Sequence, residues 1–310
     1  MSVLVLLVGS IRGSTQAWDS LFRNVLDVNS AHLALSIGRV ALDATHRHLV
    51  RRANWTWTLP EYDDWGDYFD ARMNGTRWRR QIPSHFERGQ IIYGPVRYGA
   101  HKNSTAPGSA MVNFALMLHA HDQMRKLGLF ERYSVLVVTR TDHFYACAEP
   151  AYASLPGGPE DVWIPDGMDW GGYNDRFRAC RGRASMELCL TWFAELFRDA
   201  TPWSSNSERY LKERLRKRGA VVRRYRRTMF ITHNATADTA RWQTHLERAW
   251  ATTAGEHVFG QHPKYDEEYT CAMKTCGFGP NISASLYRRY DRCSAALLQL
   301  EAQTNAEAPS

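Results

Sequence analysis

Long hydrophobic runs are missing from this sequence of 310 residues. No apolar stretch approaches the roughly 20 residues that a membrane-spanning helix needs. The Val/Leu run at residues 3–8 ends at Gly9, has no basic residue before it and precedes no small-residue cleavage pattern, so it does not resemble a signal peptide. A short Val/Leu run that ends in glycine favours a buried parallel strand. We therefore expect a soluble, cytoplasmic protein with no transmembrane segment.

Cysteine is also scarce, and its spacing matches no zinc motif of the Cys-x-x-Cys kind. The chain has six cysteines, and no two of them are three residues apart. We therefore predict free thiols in a reducing compartment. Five Asn-x-Ser/Thr sequons favour a secreted protein instead, but without a signal peptide we interpret them as chance matches; they begin at Asn54, Asn74, Asn103, Asn234 and Asn281.

Lysine contributes little to the positive charge, because only six of the 39 basic residues are lysine. Arginine grips phosphate through a planar fork of donors, which lysine cannot do. The net charge of +7 is concentrated in residues 209–227, which hold ten basic side chains and one acidic one. This basic segment either forms a solvated exterior or includes one or two arginines that face a diphosphate or an anionic acceptor.

Strands alternate with helices along most of the chain, and this alternation predicts an α/β fold. We expect a mixed, mostly parallel central sheet flanked by helices in a single large domain. Residues 51–90 show little periodicity and many aromatic side chains, and we interpret them as an irregular insertion. Strands are predicted at 3–8, 133–138 and 220–232, and helices at 15–25, 111–127, 185–197 and 208–218.

The first candidate site follows the strand predicted at 133–138, which leads directly to Arg140 and Asp142. A carboxylate at the carboxyl end of a buried strand is a usual position for a site in an open α/β sheet. Asp142 could hold a divalent cation and Arg140 could face a phosphate. The alternative is a strand-end aspartate that satisfies only local hydrogen bonds.

The second candidate is Asp175, which follows a glycine-rich loop at residues 167–173. Glycines let the backbone approach a ligand closely, and Asp175 could act as a general base or orient a substrate hydroxyl. The alternative is a turn residue with local backbone hydrogen bonds. Downstream, Ser205 and Glu208 have the spacing of a capping box, so we assign Glu208 to helix capping rather than to chemistry.

The third candidate is the turn between the first strand and the first helix, which contains Gly9, Ser10, Arg12 and Gly13. It is neither a Gly-x-Gly-x-x-Gly motif nor a P-loop, but a phosphate or a nucleotide base could sit at the N-terminus of the helix that follows. Among the 12 histidines, His233 is the best candidate metal ligand because it also follows a predicted strand.

The order of these motifs along residues 1–235 resembles that of GT-A-type glycosyltransferases of algae, large algal DNA viruses and bacterial surface-polysaccharide loci. The resemblance rests on the Gly9-Ser-Ile-Arg12 turn with the segment 18–26, on Gly108-Ser-Ala-Met111 at a helix start, on the Arg-Thr-Asp-His strand end and on the Gly-Gly-Tyr-Asn-Asp-Arg-Phe loop. It implies a GT-A-like fold with a donor-binding half at residues 1–130 and a metal- and acceptor-binding half at 131–310.

The resemblance implies a nucleotide-sugar donor such as a UDP-sugar, a glycan acceptor, and Mn²⁺ or Mg²⁺ on the donor diphosphate. The family's metal signature is Asp-x-Asp, and this chain has Arg140-Thr-Asp142 in its place. Either Asp142 and His233 hold the metal, or Arg140 partly replaces it. The same resemblance implies that Asp175 is the base or the acceptor-orienting group. It also implies that the donor is contacted by Gly9, Ser10, Arg12, Gly13, Arg140 and Asp142.

The sequence thus predicts a glycosyltransferase that has no nucleic-acid partner. The alternative is a non-catalytic protein that binds nucleic acid or an anionic surface through the basic segment 209–227. Such binding would weaken steeply with salt, and the sequence contains no zinc finger, RNP-type aromatic motif or evident helix-turn-helix to support it.

Overall fold

The computed structural model describes residues 2–39, 44–73, 75, 77–82, 94–97, 109–197, 206–233 and 262–278. The strands in these ranges are β1 (Val3–Val8), β2 (His32–Gly38), β3 (Trp55–Leu59), β4 (Val135–Thr139), β5 (His143–Tyr145), β6 (Asp161–Pro165), β7 (Arg178–Arg181), β8 (Val221–Tyr225), β9 (Met229–His233) and β10 (His262–Pro263).

The α-helices in the same ranges are α1 (Thr15–Leu21), α2 (Ala44–Arg52), α3 (Gly66–Arg72), α4 (Ala110–Lys126), α5 (Leu129–Arg132), α6 (Gly182–Thr191), α7 (Ser207–Lys217) and α8 (Asp266–Thr275). A π-helical segment, Phe22–Asp27, continues α1, and short 3₁₀ turns lie at Arg77–Gln81, Tyr152–Ser154 and Ala194–Phe197. None of the described helices has the length and apolar character to cross a membrane.

A seven-stranded sheet in the order β3-β2-β1-β4-β7-β6-β8 forms the centre of the fold. Only β7 runs antiparallel to its neighbours, β4 and β6; the other neighbouring strands are parallel. A small antiparallel sheet joins β5, β9 and β10. The predicted α/β fold, a mixed and mostly parallel sheet flanked by helices, is confirmed.

Strand β1 is buried on both faces, which explains why its sequence is continuously apolar. Because successive side chains of a strand point to opposite faces, Leu4, Leu6 and Val8 join one core cluster with helix α4, while Val3, Val5 and Leu7 join the other with helix α1. The two cores cover the sheet from both sides and hold the carboxyl ends of β1 and β4 side by side.

Two predictions about secondary structure are wrong. The segment 51–90 is not wholly irregular, since Trp55–Leu59 forms the edge strand β3 and Gly66–Arg72 forms a helix. The strand predicted at 220–232 is two strands: β8 lies in the central sheet, whereas β9 lies in the small one.

The described cysteines are disulfide-bonded, so the prediction of free thiols is wrong. Cys147 is bonded to Cys276 and Cys180 to Cys189, and Cys271 is disulfide-bonded as well. Disulfides persist in oxidising compartments and are rare in the cytosol. The cysteine chemistry therefore favours an oxidising compartment over the predicted cytoplasm.

Removing the disulfide between Cys147 and Cys276 is expected to lower the free energy of unfolding by about 2–4 kcal/mol, because the bond closes a long loop in the unfolded chain. The two cysteines are 129 residues apart, whereas Cys180 and Cys189 are 9 apart. Chemical denaturation of the Cys147→Ala/Cys276→Ala double variant measures the loss. The Cys180→Ala/Cys189→Ala variant, which likewise introduces no polar group, is the control, and a larger loss in that variant would contradict the loop-length account.

Candidate functional site

The turn after β1 is fastened to the turn after β4. The Thr141 hydroxyl donates to the Ser10 carbonyl at 2.6 Å, and the Arg12 N–H donates to the Thr141 hydroxyl at 3.2 Å. Gly13 lies so close to this turn that a Cβ there would be 2.2 Å from the Thr141 carbonyl oxygen. The structure therefore brings two of the predicted candidate loops together at the carboxyl end of the sheet.

Arg140 and Asp142 form a bidentate ion pair in the turn after β4. Arg140 Nε donates to Asp142 Oδ1 at 2.7 Å, and Arg140 Nη2 donates to Asp142 Oδ2 at 2.6 Å. Burial of Asp142 opposes its ionisation, but the guanidinium outweighs burial and holds the pKa of Asp142 well below its usual range. Asp142 is therefore a carboxylate at neutral pH, and both of its oxygens are engaged by Arg140.

Arg140 donates a hydrogen bond to each carboxylate oxygen of Asp142, so a metal ion at Asp142 would compete with this guanidinium for the same carboxylate. Among the described residues, no group of three His, Cys, Asp or Glu side chains could hold a metal ion. The backbone of His233 pairs with that of His262, and the His233 side chain lies outside the described part of the chain. The roles of Asp142 and His233 as metal ligands stay predictions.

A cleft of about 160 Å³ opens at the carboxyl ends of β1 and β4. Val8 and Thr139 line it from these strands and Arg140 from the turn after β4. The start of α4 contributes Ser109, Ala110, Asn113, Phe114 and Met117. A smaller cavity adjoins the cleft and shares Arg140 with it. That cavity is lined by Val8, Gly9, Ser10, Arg12, Ser109, Val112, Asn113, Arg140, Thr141 and Asp142.

Asp175 lies in the same cleft, where it meets the first turn of α7. The Ser207 hydroxyl donates to Asp175 Oδ2 at 2.6 Å and lies 3.3 Å from Glu208 Oε2. Burial and the negative charge of Asp175 together raise the pKa of Glu208 to about 7. The cleft thus contains a pair of carboxylates, one of which can exchange a proton near neutral pH.

Glu208 is not the capping residue that the sequence suggests. Asn206 caps α7, because its side chain accepts from the Arg209 N–H at 2.9 Å. Glu208 does not serve as the N-cap, and it lines the cleft. The capping-box spacing of Ser205 and Glu208 does not reveal this role, because the raised pKa of Glu208 depends on Asp175, 33 positions earlier in the sequence.

Arg178 adds a buried positive charge to the cleft. Strand β7 is antiparallel to β4, so its first residue, Arg178, lies beside Val138 at the carboxyl end of β4. The guanidinium donates to the carbonyls of Cys189 and Asp175, and its described partners include no carboxylate. Burial lowers the pKa of Arg178 to about 10, which is the cost of a guanidinium surrounded by neutral acceptors. Its side chain is fully buried and its three nitrogens all donate within the protein, so Arg178 acts on the cleft through its positive charge.

A buried network of ion pairs joins Arg176 and Arg227 to Glu268 behind the cleft. Glu268 on α8 accepts from Arg176 at 2.8 Å and lies 3.3 Å from Arg227. Its other oxygen accepts from the Ile231 N–H at 3.1 Å. Burial works against ionisation of Glu268, but the two arginines outweigh burial and lower its pKa to about 2. Because Arg176 also lines the cleft, helix α8 fixes one wall of the site, a role that the sequence did not indicate.

No protein-family model matches the sequence, and no curated protein matches it. Similar solved structures include a glycosyltransferase involved in glycosylation of the major capsid of PBCV-1, at 11% identity and a TM-score of 0.29 over 66% of this chain and 69% of that one. Mouse xyloside xylosyltransferase 1 in its apo form is 12% identical, with a TM-score of 0.35 over 73% of this chain and 86% of that one.

A transferase mutant is 8% identical, with a TM-score of 0.29 over 70% of this chain and 84% of that one. TM-scores in this range are too low to assign an activity.

Proposed function

We propose that the protein transfers a sugar from a nucleotide-sugar donor to a hydroxyl group of a glycan acceptor. The observation that carries this proposal is one cleft that contains both a carboxylate pair, Asp175 and Glu208, and the guanidinium groups of Arg140 and Arg178. Glycosyl transfer needs both, because a proton leaves the acceptor while negative charge develops on the departing diphosphate.

In the proposed reaction, the acceptor oxygen forms a bond to the anomeric carbon of the donor sugar. The bond from that carbon to the diphosphate oxygen breaks, and the nucleoside diphosphate leaves with the electron pair. The acceptor proton passes to the Glu208 carboxylate, whose pKa of about 7 makes it a stronger base than an ordinary glutamate. Asp175 raises that pKa. The Ser207 hydroxyl donates to Asp175 and lies 3.3 Å from Glu208 Oε2, so it helps to position both carboxylates.

Arginines supply the positive charge for the diphosphate in this proposal. The ion pair with Asp142 uses Nε and Nη2 of Arg140, which leaves Nη1 for an anionic ligand in the cleft. Arg12 lines the adjoining cavity with Gly9 and Ser10, at the position that the sequence predicts for the donor. The division into a donor half at 1–130 and an acceptor half at 131–310 stays a prediction.

Donor binding tests the proposal directly. Thermal-shift measurements and saturation-transfer NMR with UDP-sugars and GDP-sugars, each with and without Mn²⁺, are expected to identify at least one nucleotide sugar that raises the melting temperature. Because Arg140 occupies both oxygens of Asp142, we expect the shift without Mn²⁺ as well. Absence of a response to every donor, in both conditions, would overturn the proposal.

The alternative, nucleic-acid binding through the basic segment, is weakened by the ion pairs of that segment. Six of its ten basic side chains contact a carboxylate, namely those of Arg214, Lys217, Arg218, Arg223, Arg224 and Arg227. A basic side chain that already pairs with a carboxylate is less able to neutralise a phosphate, so the segment would release fewer counterions from a nucleic acid. We therefore keep glycosyl transfer as the proposed function.

A further inference from the structure

Trp170 is an aromatic side chain that the fold leaves in solvent. It is 53% exposed, and among the large apolar side chains of the described ranges it is the one exposed aromatic. The other tryptophans of the described ranges are buried or half-buried. A single exposed apolar side chain is common on protein surfaces, so a ligand site at Trp170 also needs a fixed backbone and a cavity beside the ring.

The loop that carries Trp170 is tightly fixed to the rest of the protein. Arg227 donates to the carbonyls of Asp166 and Gly167, at 2.6 and 3.0 Å. Asp169 accepts two hydrogen bonds from Arg224, at 3.1 and 2.8 Å. Trp170 itself has a left-handed backbone with φ of 45°, a conformation that costs a non-glycine residue free energy. The backbone that carries the indole is thus held in place by these contacts.

A cavity of about 360 Å³ lies beside the indole. Its polar groups are carboxylates, from Asp166, Asp169 and Glu267. Asp166 Oδ2 is buried and has no hydrogen-bond partner among the described residues, and burial raises the pKa of Asp166 to about 6. An apolar ring next to an unpartnered acceptor suits a neutral polyhydroxylated ligand, whose C–H face packs on the ring while a hydroxyl donates to Asp166 Oδ2.

The Trp170 loop is joined to the helix that carries Glu208. The Trp170 carbonyl accepts from the Asn206 side chain at 3.1 Å, and the Tyr173 N–H donates to the Glu208 carbonyl at 3.0 Å. Gly172 packs on the same backbone, since a Cβ there would lie 2.0 Å from the Glu208 carbonyl. A ligand on Trp170 therefore lies next to the helix turn that supplies the proposed base.

We propose that Trp170 and the cavity beside it form a binding subsite for a neutral saccharide, the acceptor glycan of the reaction. The identification of this saccharide as the acceptor rests on the proposed glycosyl transfer. The binding of a saccharide rests only on the exposed indole, the fixed loop and the carboxylate-lined cavity. The two parts can therefore fail separately.

Fluorine NMR of protein labelled with fluorotryptophan tests the binding without any need for turnover. The resonance that is missing from the Trp170→Phe variant belongs to Trp170, and that missing from Trp55→Phe belongs to Trp55, which is packed against the core. The probes are the methyl glycosides of glucose, galactose and xylose at millimolar concentration. We expect at least one glycoside to shift the Trp170 resonance and to leave the Trp55 resonance unchanged.

Saturation-transfer NMR with the same glycosides then compares substitutions. Trp170→Ala is expected to weaken binding by about tenfold, whereas Trp170→Phe keeps a ring and most of the affinity. Val221→Ala, which truncates another exposed apolar side chain, is the control and is expected to bind like the wild type.

Each result decides the question. A Trp170 resonance that none of the glycosides moves, or a shift equal to that of Trp55, overturns the subsite even if the protein turns over nucleotide sugars. A selective Trp170 shift in a protein that neither binds nor uses any nucleotide sugar keeps the saccharide site and removes only its assignment to an acceptor.

Discussion

Replacing Glu208 by glutamine is expected to slow sugar transfer by about a hundredfold to ten-thousandfold while the protein stays folded and still binds its donor. Glutamine has nearly the same shape as glutamate but cannot take the proton from the acceptor hydroxyl. Steady-state rates measured with a saturating donor report this loss. Glu213→Gln is the matched control because Glu213 lies on the same helix, α7, and does not line the cleft.

The pH dependence of the reaction gives a second readout of the same residue. Glu208 acts as a base only when it is ionised, and its pKa is raised to about 7 by burial and by Asp175. We therefore expect the rate of the wild-type protein to fall by about tenfold per pH unit below pH 7 and to level off above it. Glu208→Gln should remove this inflection. An unchanged inflection in the variant would assign the base to another group.

Replacing Glu268 by glutamine is expected to lower the free energy of unfolding by about 3–5 kcal/mol, because it leaves two buried guanidinium groups without their carboxylate. Arg176 and Arg227 both pair with Glu268, and its side chain is fully buried. Urea denaturation measures the loss. The control is Glu267→Gln on the same helix, since a glutamine oxygen can still accept from the Met168 N–H, as Glu267 does at 3.1 Å.

Acid should expose the same dependence in the wild-type protein. The folded pKa of Glu268 is about 2, below the ordinary glutamate value of 4.5. Its contribution to stability is therefore complete above pH 4.5 and is lost as the pH falls towards 2. We expect Glu268→Gln to flatten the stability curve over this interval. Equal acid sensitivity in the variant and the wild-type protein would contradict the assignment.

The central sheet could be predicted because its strands carry their own signal. A strand buried on both faces is continuously apolar, as β1 is, and the predicted bounds of β1 agree with the structure. Strand β3 cannot be predicted in the same way, because its Trp55-Thr-Trp-Thr-Leu59 alternation lies among other aromatic residues that resemble an irregular insertion. Strand β7 cannot be predicted because it has only four residues and begins with a charged one. Arg178 can be buried there because its guanidinium donates hydrogen bonds to backbone carbonyls.

The candidate site could be predicted where it follows a strand or, at Asp175, a glycine-rich loop. Asp142, Arg140 and the turn after β1 were found by their position, and the structure places them around adjoining cavities. Their contacts could not be predicted, because an ion pair between residues two positions apart depends on the shape of the turn. Glu208 and Glu268 were missed for a different reason. Their chemistry arises from partners distant in sequence, which only the fold brings within reach.

The most direct test of the proposed function is release of nucleoside diphosphate from UDP-sugars and GDP-sugars in the presence of glycan acceptors, with the acceptor mass recorded in parallel. We expect the wild-type protein to release one nucleoside diphosphate for each acceptor whose mass increases by one sugar residue. Glu208→Gln should lower both signals together. Absence of release from every nucleotide sugar, or equal rates in the wild type and Glu208→Gln, would contradict the proposed function or the proposed base, respectively.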